Sequence, residues 1–197
     1  MRVISFYTPG TRYETDAARL CQSCERFGLA CDVRPLSIDA SAPSGTDWIR
    51  AVARKPAFIR DLLLEHRSAV CWMDADCTIA QDPVLLRTTR AEFGIYNFFA
   101  DPMNETGEFA PHKLWAASGV VYLAFTPRVM RLVNEWCEQL AAAPWMIDDQ
   151  ALSRVYNHFR GGKLDVFWLP RAYNRMSGKW PEVAPVIDHE WQPGVAR

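Results

Sequence analysis

A chain of 197 residues, 49% hydrophobic and 23% charged, is long enough to bury a core of its own and too apolar for extended disorder. Its formal net charge of −1 excludes a global electrostatic pull toward nucleic acid or anionic membrane. No apolar stretch approaches the length of a membrane span, and the start, Met1-Arg2 before a short apolar run, has no signal-peptide pattern. A single cytosolic domain over 1–197 is therefore expected.

Val3 to Tyr7 reads as a first strand, closed by the turn signal Pro9-Gly10. Thr15 or Asp16 is expected to cap a helix running to about Phe27, with Gly28 as its stop. On that helix Ala17, Leu20, Cys21, Cys24 and Phe27 fall at helical spacing. The C-x-x-C of Cys21 and Cys24, which has no second pair, is read as part of a core face and not as a zinc or redox site. Ala30 to Leu36 is a second strand, and Ser37 to Thr46, rich in small residues, is a loop. A helical pattern from Trp48 into Glu65 is interrupted at Pro56.

Then comes the most telling segment, Ala69-Val70-Cys71-Trp72-Met73-Asp74-Ala75-Asp76: an apolar run that breaks into two carboxylates one residue apart. The run suits a buried strand. In open α/β sheets ligands bind beyond the carboxyl ends of strands, and side chains at i and i+2 leave a strand on the same side. Asp74 and Asp76 are thus placed to share one hard divalent cation; the plainer alternative is that they cap the following turn.

The second half is less regular. Strands are expected at Phe93 to Phe98, Gly119 to Phe125 and Val166 to Leu169, and helices from Thr126-Pro127 to about Leu140 and from Asp148 or Asp149 toward Phe159. Asp101 to Leu114 is a polar loop and the best candidate for a mobile segment. The tail from Pro185 to Trp191 is a short apolar run ending in polar groups, expected to be loosely held. Three strands alternating with helices predict a parallel sheet, and the whole reads as one mixed α/β domain.

Lys55-Pro56, Trp72-Met73-Asp74-Ala75-Asp76, Ser118-Gly119-Val120, Asp148-Asp149-Gln150, Leu169-Pro170 and Ile187-Asp188-His189 occur in that order. Together they resemble the small nucleotide-sugar glycosyltransferases of the glycogenin-like, A-type fold, across almost the whole chain. The resemblance implies a central, mostly parallel mixed sheet flanked by helices, and transfer of a sugar from a nucleotide-diphosphate sugar, UDP foremost, with retention of anomeric configuration. It implies Mn²⁺ or Mg²⁺ held by Asp74, Asp76 and His189 against the donor diphosphate, with Ala75 beside the donor. Asp149 and Gln150 correspond to the sugar-reading, catalytic pair, with N-capping as the plain alternative for Asp149. Ser118 and Gly119 would lie near the sugar, Tyr7 and Thr8 near base and ribose, and Lys55 near phosphate or sugar. The family's Gly and Lys after the histidine have only Gly194 and Arg197 as counterparts, at a different spacing.

Two other classes remain open at this point. Asp74 to Thr78 also fits the D-x-D-x-T of haloacid-dehalogenase-type phosphatases, in which the first Asp is a nucleophile. That family, however, carries the motif on its first strand. A binding module is the second: Arg154, Arg160, Lys163, Arg171, Arg175 and Lys179 interleave with Tyr156, Phe159, Phe167, Trp168, Tyr173 and Trp180, against the single acid Asp165. In an enzyme, the basic segment 154–180 would suit an anionic acceptor such as hydroxymethylated phage DNA. A glycan or a protein are the other acceptors considered.

Overall fold

The computed structural model describes residues 1–37, 47–104 and 107–190. Its elements run β1 (Arg2–Tyr7), α1 (Arg12–Arg26), β2 (Ala30–Pro35), α2 (Asp47–Ala53), α3 (Lys55–His66), β3 (Val70–Met73), β4 (Cys77–Ile79), α4 (Val84–Thr88), β5 (Phe93–Asn97), β6 (Ala116–Leu123), α5 (Pro127–Ala142), α6 (Asp148–Asn157), β7 (Val166–Trp168), β8 (Arg175–Met176) and β9 (Ile187–His189). Six strands form the main sheet in the order β2-β1-β3-β6-β5-β7. β6 pairs antiparallel with both β3 and β5, while the other pairs are parallel, so β6 alone runs against its neighbours. The mostly parallel mixed sheet expected from the sequence is the sheet observed.

Strand alternation explains how one sheet serves two cores. On one face Ile4, Phe6, Val70, Trp72, Val121 and Leu123 pack beneath Ile59, Leu62 and Leu63 of α3 and Val129, Leu132 and Trp136 of α5. On the other face Val3, Cys71, Met73, Val120 and Tyr122 meet Leu20 and Cys24 of α1. β3 is buried on both faces, which is why it reads as an unbroken apolar run. Cys24 is a core residue, as its spacing predicts, and Cys21 turns toward Cys31, the two sulfurs 3.4 Å apart.

Several boundaries differ from expectation for local reasons. α1 begins at Arg12, with Thr11 at the capping position; Glu14 reaches back to accept from the Gly10 N–H, so the helix starts a turn before Thr15. β6 begins at Ala116 and is buried throughout, because Ala116 and Ala117 pair with Asn97 and Tyr96 beyond a bulge in β5. Short β4 and α4 carry too little periodicity to be seen in sequence. The tail is no loose strap: β9 is the central strand of a small sheet β4-β9-β8. Among the described residues no helix is long and apolar enough to cross a membrane.

Candidate active site

The site lies where β3 ends. Past Met73 the chain turns sharply, the Cys77 N–H donating to the Asp74 carbonyl at 2.9 Å, and returns as β4. Because β6 runs the opposite way, its early residues lie beside that turn: Met73 pairs with Val120, and the Asp74 N–H donates to the Gly119 carbonyl at 2.8 Å. The reversed strand thus brings Ser118 and Gly119 to the carboxyl edge of the sheet, next to Asp74.

Lys55 is the node of the first half of the site. It is 2% exposed, and its ammonium lies 2.5 Å from Asp148 Oδ2, 3.0 Å from Asp74 Oδ1 and 2.9 Å from Ser118 Oγ. Burial alone would lower its pKa, but Asp148, Asp74 and Asp149 outweigh that and hold it above the usual lysine range. Lys55 is therefore neither a solvated lysine nor an ammonium open to phosphate; its donors are committed to the protein's own carboxylates. The Trp72 indole N–H donates to Asp74 Oδ1 at 2.8 Å, so this side of Asp74 is fixed from two directions.

Asp148 and Asp149 do not cap α6, whose capping position is Ile147. Both carboxylates reach across to β6: Ser118 donates its hydroxyl to Asp148 Oδ2 and its N–H to Asp149 Oδ1, each at 2.6 Å. Asp148 is buried, whereas Asp149 keeps partial exposure. Burial, then the neighbouring Asp148, push the Asp149 carboxyl up to about 6, against the opposing pull of Lys55 and the Ser118 hydrogen bond. Gln150 is exposed on the same first turn. Sequence reading missed Asp148 as the partner of Lys55; the only signal was a second acid beside Asp149.

The second half comes from the small sheet. β9 pairs with β4 so that His189 stands opposite Cys77. From there the imidazole Nε2 lies 3.3 Å from Asp76 Oδ1 and 3.6 Å from Asp74 Oδ2. Its ring rests on Gly119: a Cβ built there would fall 2.6 Å from His189 Nδ1. The glycine is required by the histidine. Cys77 is close enough to join Asp76 and His189 as a ligand group; without a metal, burial, then Asp76 and Asp74, raise its thiol well above the usual range. His189 faces each carboxylate in turn, but the ligand atoms that lie within 4.8 Å of one another are those of Asp76, Cys77 and His189, and Asp74 stands outside that group; an acid and an imidazole suit a hard or borderline divalent cation. A second acid–histidine cluster, Asp32, Glu65 and His66, differs in that Arg34 donates to both of its carboxylates.

Other expected site residues fall around this centre. Ala75 is buried in the turn, and Tyr7 and Thr8 close β1 half-exposed. Arg12, at the start of α1, brings its guanidinium to 3.9 Å from Asp76 Oδ2, a neighbour that sequence reading did not anticipate. Gly194 and Arg197 lie outside the described residues. In the segment 154–180 Arg154, Arg160 and Lys163 are exposed, while Arg171 is bonded to Asp101, Arg175 to Asp188, and Lys179 lies over the Phe98 ring. Its aromatics turn inward, Tyr156, Phe159 and Trp168 to one core and Phe167, Tyr173 and Trp180 to the other.

A family model for nucleotide-diphospho-sugar transferases matches residues 16–187. Among solved structures, a glycosyltransferase involved in glycosylation of the major capsid of PBCV-1 superimposes with a TM-score of 0.68 at 13% identity, covering 96% of this chain and 91% of that one. Mouse xyloside xylosyltransferase 1, in its apo form, gives 0.55 at 14% identity, with 95% and 96% covered. At these identities the likeness is one of fold. No curated protein matches the chain.

Proposed function

The chain belongs to the nucleotide-diphospho-sugar transferase family, and on that premise we propose that it is a metal-dependent glycosyltransferase whose donor site is the cleft at the end of β3. One observation carries this reading: the His189 imidazole, resting on Gly119, lies within 3.6 Å of both Asp74 and Asp76, with Asp149 bonded to the neighbouring Ser118. Family membership leaves the phosphatase reading without support, and a pure binding module would have no use for such a centre.

In this proposal Asp74, Asp76 and His189 hold Mn²⁺ or Mg²⁺, which when bound offsets the negative charge developing on the donor diphosphate without a proton transfer. Lys55 plays a different part. By neutralising Asp148 and one oxygen of Asp74 it fixes their orientation and leaves Asp74 Oδ2 turned toward His189. Tyr7 and Thr8, at the end of β1, are placed to meet base and ribose, and Ala75, Ser118 and Gly119 to line the sugar pocket. Asp149, half-exposed beside Ser118, accepts hydroxyls of the donor sugar, with exposed Gln150 near the reacting carbon. UDP is the nucleotide we assign, and retention the outcome, in keeping with the glycogenin-like resemblance. A glycan or protein acceptor is the one we assign ahead of DNA, since Arg171 and Arg175 of the basic segment are bonded to the protein's own carboxylates.

The decisive measurement is UDP binding titrated with and without Mn²⁺ in the wild type, Asp74→Ala and Asp76→Ala. Loss of the Mn²⁺-dependent part of the affinity in both variants, with folding retained, supports the assignment. Undiminished Mn²⁺-dependent binding in both would remove it.

A further inference from the structure

β5 and β6 run past the point where β3 stops. Met73, the last residue of β3, pairs with Val120, yet β6 has begun at Ala116, where it still pairs with Asn97 at the end of β5. At about 3.3 Å per residue, and with the bulge between, the two strands overhang β3 by roughly 10 Å. They stand as a wall beside the turn that carries Asp74 and Asp76. The top of this wall is aromatic. Asn97 ties it together: its Oδ1 accepts from the N–H groups of Phe99 and Trp115, and its Nδ2 donates to the Lys113 carbonyl. The Trp115 indole is set between Phe98 and Phe99, at ring-centroid distances of 5.0 and 5.5 Å, and Phe98 in turn meets Tyr96 and Trp180 of the second core. Flanked by two rings, Trp115 is nevertheless 39% exposed. Strand alternation puts it on the side of β6 that carries Ala117 and Gly119, and Gly119 faces the His189 ring.

We infer that Trp115 is a stacking platform for a pyranose ring of the acceptor, and that the acceptor is therefore a glycan. The inference rests on the donor reading above. β3 lies between β1 and β6 in the sheet. With base and ribose on the β1 side and the donor sugar beside Ser118 and Gly119, an acceptor reaches that sugar from the β6 and β5 side, where Trp115 stands. A pyranose turns a face of C–H bonds toward its partner, and the face of an indole carries the complementary negative charge. The area decides between a sugar and a folded protein surface. Trp115, with exposed Met103 and Phe109 on the same connection, offers on the order of a few hundred Å² of apolar surface. A stable protein partner buries about 800 Å² on each side, whereas a sugar ring is covered by a single indole.

The test uses the full chain labelled with 5-fluorotryptophan, in the presence of UDP and Mn²⁺, and titrated with the methyl β-glycosides of glucose, galactose and xylose. The ¹⁹F resonance of Trp115, one of eight tryptophans, is assigned through its absence in Trp115→Phe. At least one glycoside should shift that resonance saturably. Its affinity should fall by about tenfold in Trp115→Ala, the scale of one aromatic contact. Phe125→Ala, just past the other end of β6, should leave it unchanged, and UDP affinity should be the same in all three proteins. Failure of every glycoside to bind overturns the inference, as does binding that leaves the Trp115 resonance unmoved; both are read in the labelled wild type, whether or not Trp115→Ala folds. A Ser/Thr peptide that moves the resonance when no glycoside does overturns it in favour of a protein acceptor, and loss of UDP affinity in a folded Trp115→Ala would make Trp115 part of the donor site. A Trp115 shift with glycoside in a protein without Mn²⁺-dependent UDP binding sustains the platform and instead defeats the donor assignment.

Discussion

Asp74 and Asp76 are two residues apart, yet they belong to different electrostatic regions. Asp74 is bound into the network of Lys55, Trp72, Ser118 and Asp148 within the main sheet, with its charge partly neutralised by a buried ammonium. Asp76, 2% exposed, looks out of that network toward His189 on the small sheet and toward the guanidinium of Arg12. One region is a buried network in which a single ammonium serves the carboxyls of Asp74, Asp148 and Asp149. The other is a meeting of an acid and an imidazole at the small sheet, whose strands β4 and β9 pair with each other and not with β3. A D-x-D pair thus need not be two equivalent ligands; here one member anchors the turn to the core and the other faces the second sheet.

The largest effect that would sharpen this contrast is on stability. Lys55→Met leaves Asp74, Asp148 and Asp149 in one buried place without their cation, and breaking a buried pair from one side costs about 3–5 kcal/mol. Thermal unfolding should show a fall of roughly 10 °C or more, with little change for Asp76→Asn. Comparable losses in the two variants would erase the distinction between the regions.

Next comes Asp149, where stability and turnover should part. Its folded pKa of about 6 stands above the unfolded value near 3.9, so the folded state holds an extra proton between them. Stability therefore falls as pH rises from about 4 to 6, and the cost is fully present at neutral pH. Asp149→Asn keeps an oxygen for the Ser118 N–H and removes that charge. Turnover should fall by about a hundredfold, in the range found for lost transition-state electrostatics. Tm at pH 7 should rise by several degrees, and the rise should vanish near pH 4. A lower Tm at neutral pH would mean that Asp149 serves the fold instead.

Gly119→Ala acts on the second region alone. The added Cβ meets His189 and Asn174 at under 3 Å, so the ring must move, at a cost of about 1–3 kcal/mol. Calorimetric Mn²⁺ titration should show weakened binding, while the Lys55 network, on the other side of β6, keeps its melting behaviour apart from that cost. Smallest is Arg12→Ala: its side chain is 57% exposed and 3.9 Å from Asp76 Oδ2, a pair worth at most about 1 kcal/mol. A Tm change beyond about 4 °C would show that Arg12 holds the second region together and is not merely its neighbour.

The amino-acid sequence by itself determined the strand that carries Asp74 and Asp76, because four consecutive apolar residues followed by acids admit few placements in a sheet buried on both faces. It also determined the α/β class, from the alternation of periods, and the family resemblance, from the order of short motifs. Only the tertiary structure decided what each polar side chain touches. Lys55 read as phosphate- or sugar-facing in sequence, since nothing local marks a lysine for burial; for Asp149, read as sugar-facing, capping was the plain alternative, since α6 begins there. What each touches is decided by distant contacts, Lys55 with Ser118 and Asp148, and Asp148 and Asp149 with Ser118 across 30 and 31 positions. Gly119 was marked by its motif, but its reason, the His189 ring, was hidden, because that ring reaches it only through the pairing of β9 with β4 and β8. Periodicity records which face of an element is buried, whereas a buried polar contact depends on where two distant elements cross, and that is fixed by the packing of the whole chain.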